Sequence, residues 1–331
     1  MPFATVVGHA PVLAVLRQAV RRGRVPQSLL FAGPDGVGKR AVALALAQAV
    51  NCPVRAAAGG DDACGACNTC VRIAKGLHSD VVILDRGDDS IIKLKILRER
   101  VLETVGYRPF EAAKRVFIIT ADDLDPPAQD ALLKTLEEPP TSVILILVAA
   151  YADSLSKTVL SRCRRLRFGP LSERDVVRVL VERAGVDRAA ALALAAASGG
   201  SVARAIAEKT GDLSDDRDAA LAILAAANRS VADRLKASTA FAKNTSDRRD
   251  REALTARVDV LRSMLRDLGA LAARKPEALA NHDLESDLRA VSSGFDLSRL
   301  ARGYAALAQA ETALERNAGP KIVADWIALH L

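Results

Sequence analysis

The spacing of apolar positions along this chain changes character near residue 168. Before that point, short β-branched runs alternate with stretches of helical period, the pattern of a parallel sheet whose strands are joined by helices. Strands are expected at Leu29 to Ala32, Val81 to Asp85, Val116 to Thr120, Val143 to Ala149 and Leu166 to Phe168. Between them apolar residues recur every three or four positions, as in Leu94, Leu97, Val101, Leu102 and Val105, or Leu132, Leu133 and Leu136 ahead of the breaker pair Pro139 and Pro140. After "FGPLSERDV" the strand signal ends. Ser172, followed by acidic Glu173 and Asp175, has the chemistry of an N-cap, and three helices are expected at Glu173 to Ala184, Arg188 to Ala197 and Ser201 to Lys209. "TGDLSDDRD" reads as a polar linker, and from about Asp216 to Leu331 only helical patterns remain, broken at "AKNTSDRRD", "ARKPEALANHD" and "ERNAGPK". The expected fold class is α/β plus all-α, in three domains: a parallel-sheet domain at 1–169, a three-helix domain at 170–212 and an all-helical domain at 213–331.

Composition agrees with this picture. Half of the 331 residues are hydrophobic but only 3% are aromatic, so Ala, Leu and Val must make the core, which favours packed helices. The longest apolar run, "VILILVAA", is too short for a membrane span of about 20 residues. The opening "MPFATVVGHAPV" lacks a basic segment followed by an apolar one, so a cytoplasmic protein with no membrane partner is expected. The net charge of +7 is spread over interleaved acids and bases except at "RRGR" and "RCRRLRF". That permits nucleic acid nearby without requiring contact, and solvated helix faces explain most of it.

Two motifs carry chemistry. "GPDGVGKR" supplies Gly33, Gly36, Gly38 and Lys39 of a phosphate-binding loop, in which backbone N–H groups and an ammonium cradle phosphate. The next position should hold a Mg²⁺-binding hydroxyl, and it is Arg40. A guanidinium cannot coordinate a cation, although it can pair with a phosphate or simply point to solvent from the first helical turn. The second motif is Cys52 with Cys64-x₂-Cys67-x₂-Cys70. Four soft ligands at these spacings suit a structural Zn²⁺ knuckle at 52–70. An iron–sulfur cluster is the other metal reading, and free structural thiols are the plain one. Cys163 stands apart.

The P-loop, the Cys₄ insertion, "DALLKTLEEPP" from Asp130 to Pro140 and "TVLSRC" from Thr158 to Cys163 occur in one order, and together they resemble the bacterial DNA polymerase III clamp-loader AAA+ subunits, the delta-prime branch before the gamma/tau branch. The resemblance implies a RecA-like AAA+ domain, a three-helix lid and a C-terminal helical collar. It also implies a five-subunit ring of gamma or tau motors with delta and delta-prime, which uses ATP to place a sliding clamp on primed DNA. It implies that Arg162, with Ser161 beside it, reaches across an interface to a neighbouring motor's ATP as an arginine finger, and that Arg204 in "GGSVARAI" lies over the pocket in cis. A surface salt bridge is the plain reading of Arg162.

Against a motor, the chain lacks three things. The hydroxyl is replaced by Arg40. The acidic pair expected at the end of the third strand falls on Ile119 and Thr120, or on Thr120 and Ala121 one register later, with Asp122 and Asp123 just beyond in the loop. The polar sensor expected at the end of the fourth strand falls on Ala149 or Ala150. A degenerate pocket follows, in which ATP or ADP binds weakly or not at all and turnover is not expected. The expected role is a stator donating Arg162 to its neighbour. The alternative is a gamma/tau-like ATPase, disfavoured by the missing acidic pair and by an end at Leu331 without a tau-like extension. A zinc-dependent nucleic-acid binder is weaker still, because the cysteine element has no flanking aromatics or clustered basic face.

Overall fold

The computed structural model describes residues 1–331 except 88–90, 151, 153–154, 210–213, 243–247, 275–278, 280, 282–283 and 316–317. Residues 210–213 of the expected linker lie outside that set, but its remainder, from Ser214 to Asp218, is helical and opens the helix Ser214–Ala226, because acidic residues suit a helix N-terminus; of the three expected breaks, residues 243–247, 275–278, 280, 282–283 and 316–317 lie outside the described set. The described residues divide into two compact units, one of residues 1–175 with 200–203 and one of residues 176–199 with 204–331.

The first unit is built on α1 (Ala10–Arg21), β1 (Ser28–Ala32), α2 (Lys39–Asn51), α3 (Pro53–Ala58), α4 (Asn68–Ala74), β2 (Val81–Leu84), α5 (Leu94–Leu97), β3 (Arg115–Thr120), α6 (Pro126–Glu137), β4 (Val143–Ala149), α7 (Lys157–Arg162) and β5 (Arg164–Arg167). The five strands are parallel and lie in the order β2-β3-β4-β1-β5. β4, "VILILVA", occupies the middle and is buried along its whole length, because helices cover both faces of the sheet and every position must be apolar. Alternate residues sort onto the two faces. Ile144, Ile146 and Val148 pack with Phe31, Ile118, Leu16 and Leu46 on one side. Leu145 and Leu147 pack with Leu30, Phe117, Leu132, Leu136 and Val159 on the other.

Two expectations are corrected in this region. The fifth strand is Arg164–Arg167 rather than Leu166 to Phe168, because pairing of Leu29 with Arg164 through Ala32 with Arg167 sets its span. An edge strand paired on one side needs no apolar alternation, so its arginines hid it. Phe168 lies one step beyond, where its N–H donates to Ala32 O (2.8 Å) while its ring drops into the core. The helix expected through Val105 is α5 followed by a π-helical turn, Arg98–Leu102.

The second half of the chain is helical: α8 (Glu173–Ala184), α9 (Arg188–Ala197), α10 (Val202–Lys209), α11 (Ser214–Ala226), α12 (Val231–Phe241), α13 (Arg248–Ala272), α14 (Glu285–Ser292), α15 (Leu297–Glu315) and α16 (Pro320–His330). The first three match the helices expected from pattern to within a residue. The α11–α16 region has its own core, in which Leu261, Leu265 and Leu268 of α13 meet Phe241, Phe295 and Ile327. Arg257, 8% exposed, closes the end of α12 by donating to the carbonyls of Ala240 and Phe241 while pairing with Asp216 at 2.6 Å.

Candidate functional site

The phosphate-binding loop runs from the end of β1 to the start of α2, where the sheet delivers it to a helix N-terminus. Its glycines answer to local geometry. The Gly33 N–H donates to Ala149 O (3.2 Å), and a Cβ there would lie 2.0 Å from Phe168 O. Gly36 has φ 74°, and a Cβ would meet Ser201 Oγ at 2.2 Å. The Val202 N–H donates to Gly36 O (3.0 Å), so residues 200–203 lie against the loop within the first unit.

Lys39 is 5% exposed, and its ammonium turns back onto the loop, donating to Gly33 O (2.5 Å) and Pro34 O (2.7 Å) and reaching Asp35 Oδ1 at 3.4 Å. Burial pulls its pKa below the ordinary lysine value, against the opposing carboxylates of Asp35 and Asp122. His9, in left-handed backbone at φ 55°, places Nε2 2.8 Å from Val37 O and sets its ring edge-on to Phe168. The loop carbonyls are thus held from three sides, by Lys39, His9 and Val202. Arg40 leaves the loop altogether: it is exposed, and its Nη1 donates to Asp85 Oδ2 (2.9 Å) where β2 ends.

The end of β3 offers no acidic pair. Ile119 and Ala121 are fully buried and Thr120 is half-buried. Asp122 follows, and its carboxylate accepts the Ala150 N–H, tying the end of β3 to that of β4. The Asp123 backbone carbonyl accepts from Ile92 N (2.6 Å), and its side chain is buried. Ala149 is buried, with its carbonyl committed to Gly33. Arg40→Thr alone is therefore expected to leave hydrolysis at background, because the carboxylate pair and the polar sensor are still missing. A titration with Mg²⁺-nucleotide and a steady-state ATPase assay check this, and robust turnover would make Asp122 the residue to test next.

Arg162 ends α7, whose N-terminus is capped by Ser156 Oγ accepting from Val159 N (3.3 Å). Nε donates to Glu137 Oε1 (2.8 Å), Nη2 donates to the same oxygen, and Nη1 donates to Thr158 O (2.9 Å). Ser161 Oγ donates to Thr158 O (3.0 Å) and lies 3.4 Å from Nη1. Arg204 falls in the second unit, where its guanidinium pairs with Asp259 on α13.

The cysteines converge. Sγ atoms of Cys52, Cys64, Cys67 and Cys70 all lie within 4.8 Å of one another. A Zn–S bond of about 2.3 Å places the corners of a tetrahedron about 3.8 Å apart, so this donor set fits one ion with a small contraction. Arg55 and Cys64 donate backbone N–H groups to Cys52 Sγ (3.3 and 3.4 Å), and Cys67 N donates to Cys64 Sγ (3.3 Å), bonds that favour thiolates. The N–H groups of Cys67 and Ala66 pull the exposed Cys64 thiol down to about 6, whereas burial pushes Cys70 up. The group could hold a metal ion. Asp62 ties the knuckle to the start of the chain, accepting from Phe3 N and Ala4 N (both 2.8 Å) and from Arg17 Nη2 (3.0 Å).

His9, Glu137 and Asp62 were not legible as site residues. Each acts through a partner at least 25 positions away, and only the unusual "GHAP" turn before α1 carried a local signal.

Residues 8–172 match the family model described as DNA polymerase III, delta subunit. Over 179 residues the chain is 31% identical to DNA polymerase III subunit gamma of Buchnera aphidicola, covering 54% of this chain and 48% of that one. Over 175 residues it is 34% identical to subunit tau of Escherichia coli, covering 53% and 26%. It is also 32% identical over 173 residues to subunit delta' of Bacillus subtilis, covering 52% and 51%. The chain spans about half of the gamma and delta' relatives' length and a quarter of tau's. The sheet order and P-loop make this an AAA+ fold, and these matches support a clamp-loader AAA+ subunit of DNA polymerase III. Among the described residues no helix is long and apolar enough to cross a membrane.

Proposed function

We propose that the chain serves a DNA polymerase III clamp loader as a delta-prime-like stator, a cytoplasmic subunit that does not itself turn over ATP but presents Arg162 to the nucleotide of a neighbouring gamma or tau motor. The observation that carries this reading is a combination. A phosphate loop whose helix begins Lys39-Arg40 has no carboxylate pair at the end of β3, while a charged Arg162 stands partly exposed at the end of α7. A guanidinium so placed can stabilise charge spreading over a transferring phosphoryl group, which a neighbour's own site supplies with Mg²⁺.

In this reading the first unit is the AAA+ domain, α8 to α10 are the lid and α11 to α16 are the collar that joins the ring. Delta, the sliding clamp and primer-template DNA are the further partners. Cys52, Cys64, Cys67 and Cys70 hold Zn²⁺ in a closed structural site, since four protein thiolates leave no position for substrate. Nucleotide in the chain's own loop would have to draw Lys39 away from the carbonyls of Gly33 and Pro34.

The preserved Gly33, Gly38 and Lys39 support the competing gamma/tau-like ATPase. Steady-state ATPase of the purified chain with primed DNA separates the two. Background turnover by the chain alone, with DNA-stimulated turnover once motor subunits are added, is the expected result. Turnover by the chain alone at the motors' rate would overturn the stator reading.

A further inference from the structure

Glu137 was absorbed by none of the roles above, yet it makes the strongest contact to the one side chain assigned to act outside this chain. It is the last residue of α6, where the carboxylate of Glu137 faces α7. Pro139 and Pro140 follow and forbid the helix to continue, so the position of that turn is fixed by backbone chemistry. The two helices are also fixed to each other. Leu132, Leu133 and Leu136 of α6 share a core with Val159 and Leu160 of α7, and Gln129 Oε1 accepts the N–H of Ser156, the residue that caps α7 (3.2 Å). Ser28 Oγ and Gln27 Nε2 tie the end of α6 and the proline pair to the start of β1, donating to Leu136 O (3.4 Å) and Pro140 O (2.7 Å). Glu137 therefore sits on a rigid platform.

What it does to Arg162 follows from the guanidinium's donors. Glu137 Oε1 takes the N–H groups of Nε and Nη2, the side edge of the plane, and Thr158 O takes one from Nη1 at 2.9 Å. Five N–H groups are fixed in one plane in this side chain. Of the other two, one on each terminal nitrogen, that on Nη1 meets Ser161 Oγ; released to a partner, the pair makes a fork that matches two oxygens of a phosphoryl group. The further contact of Nη1 to Ser161 Oγ, at 3.4 Å, is long and yields readily. An unheld arginine would instead sample many rotamers, and fixing it at the moment of reaction costs entropy that Glu137 has already met.

We propose that Glu137 is a positioning residue for Arg162: it grips the side edge of the guanidinium and aims that fork outward, at the phosphoryl group of a nucleotide held by an adjacent subunit. This rests on the finger reading above. The negative charge is not the active ingredient, since it opposes an anionic target; the acceptor oxygen is.

The test uses the reconstituted clamp loader at matched assembly, with wild-type chain, Glu137→Ala, Glu137→Gln, Arg162→Ala and the Glu137→Ala/Arg162→Ala pair. DNA-stimulated ATPase is measured against ATP concentration. Glu137→Ala should lower kcat by about tenfold with KM for ATP unchanged, because orientation in the transition state is lost while ground-state binding is not. Glu137→Gln, which keeps an acceptor oxygen and drops the charge, should stay within about threefold of wild type. In the Arg162→Ala background, Glu137→Ala should add nothing, as residues acting as a unit are not additive. An unchanged or raised rate for Glu137→Ala, a Gln variant as poor as the Ala one, or a loss that persists without Arg162 would each overturn the positioning role while leaving the finger intact. If Arg162→Ala itself has no effect, the finger reading fails and this inference with it.

Discussion

On the proposed stator reading, Arg162→Ala is expected to leave the chain folded and the assembly intact while lowering DNA-stimulated ATP hydrolysis and clamp loading by adjacent motor subunits. The side chain is about 29% exposed, and its ion pair with Glu137 lies at the surface, where such pairs contribute about 0–1 kcal/mol, so little folding stability depends on it. Transition-state charge is another matter. Arginine fingers contribute on the order of 10³ to 10⁵ in rate in GTPases, and a loader in which several sites share the work should lose less, roughly tenfold to a hundredfold. Arg162→Lys should fail nearly as badly, because an ammonium keeps the charge and loses the planar fork that both Glu137 and a phosphoryl group require. The measurement compares complexes of equal composition by ATPase and by clamp loading onto primed DNA. Equal rates in both assays would return Arg162 to a surface ion pair with Glu137.

Removal of metal should have the largest structural effect. With four thiols gathered within 4.8 Å and, among the described residues, a small core of Cys52, Ala63 and Cys70, the knuckle has little core of its own, and the ion would supply most of its folding energy. Chelation, or Cys70→Ser, should loosen residues 52–70 first. The damage should then spread to the start of the chain, since Asp62 holds the N–H groups of Phe3 and Ala4, and Gln48 connects the Met1 amino group (2.5 Å) to Cys70 O (2.5 Å). Hydrogen exchange should show protection lost by tenfold or more at residues 3–6 and 52–70 while β3 and β4 stay protected. Elemental analysis should find one zinc per chain. Zinc-free protein with unchanged exchange, or an iron–sulfur absorption band, would sink the assignment.

How far the sequence disclosed this arrangement depends on the range of the forces involved. β1 to β4 were legible because a strand covered on both faces must be apolar throughout, and α8 to α10 because caps and period act within a few residues. β5 was expected to start two residues too late and end one too late, since its span is set by hydrogen bonds to β1 and its own side chains are mostly charged. Arg40 announced a missing hydroxyl, but its pairing with Asp85, 45 positions away, could not be read from the loop. Arg162 was visible in a local motif, whereas its holder Glu137 is 25 positions earlier and reads on its own as one more acid at a helix end.

The margin of the sheet formed by β5 is guarded against pairing with a further strand. Its backbone is paired on one side by β1, while Arg164, Arg165 and Arg167, three of its four residues, are exposed to solvent. Another strand laid along that margin would bring its own chain against three guanidinium groups, and two copies of the same chain would bring six, so fibre-like continuation from molecule to molecule is repelled at its first step. The same repulsion does not act on a partner whose facing surface is acidic. The charges that made this strand hardest to see thus also disfavour zippering of one copy onto the next.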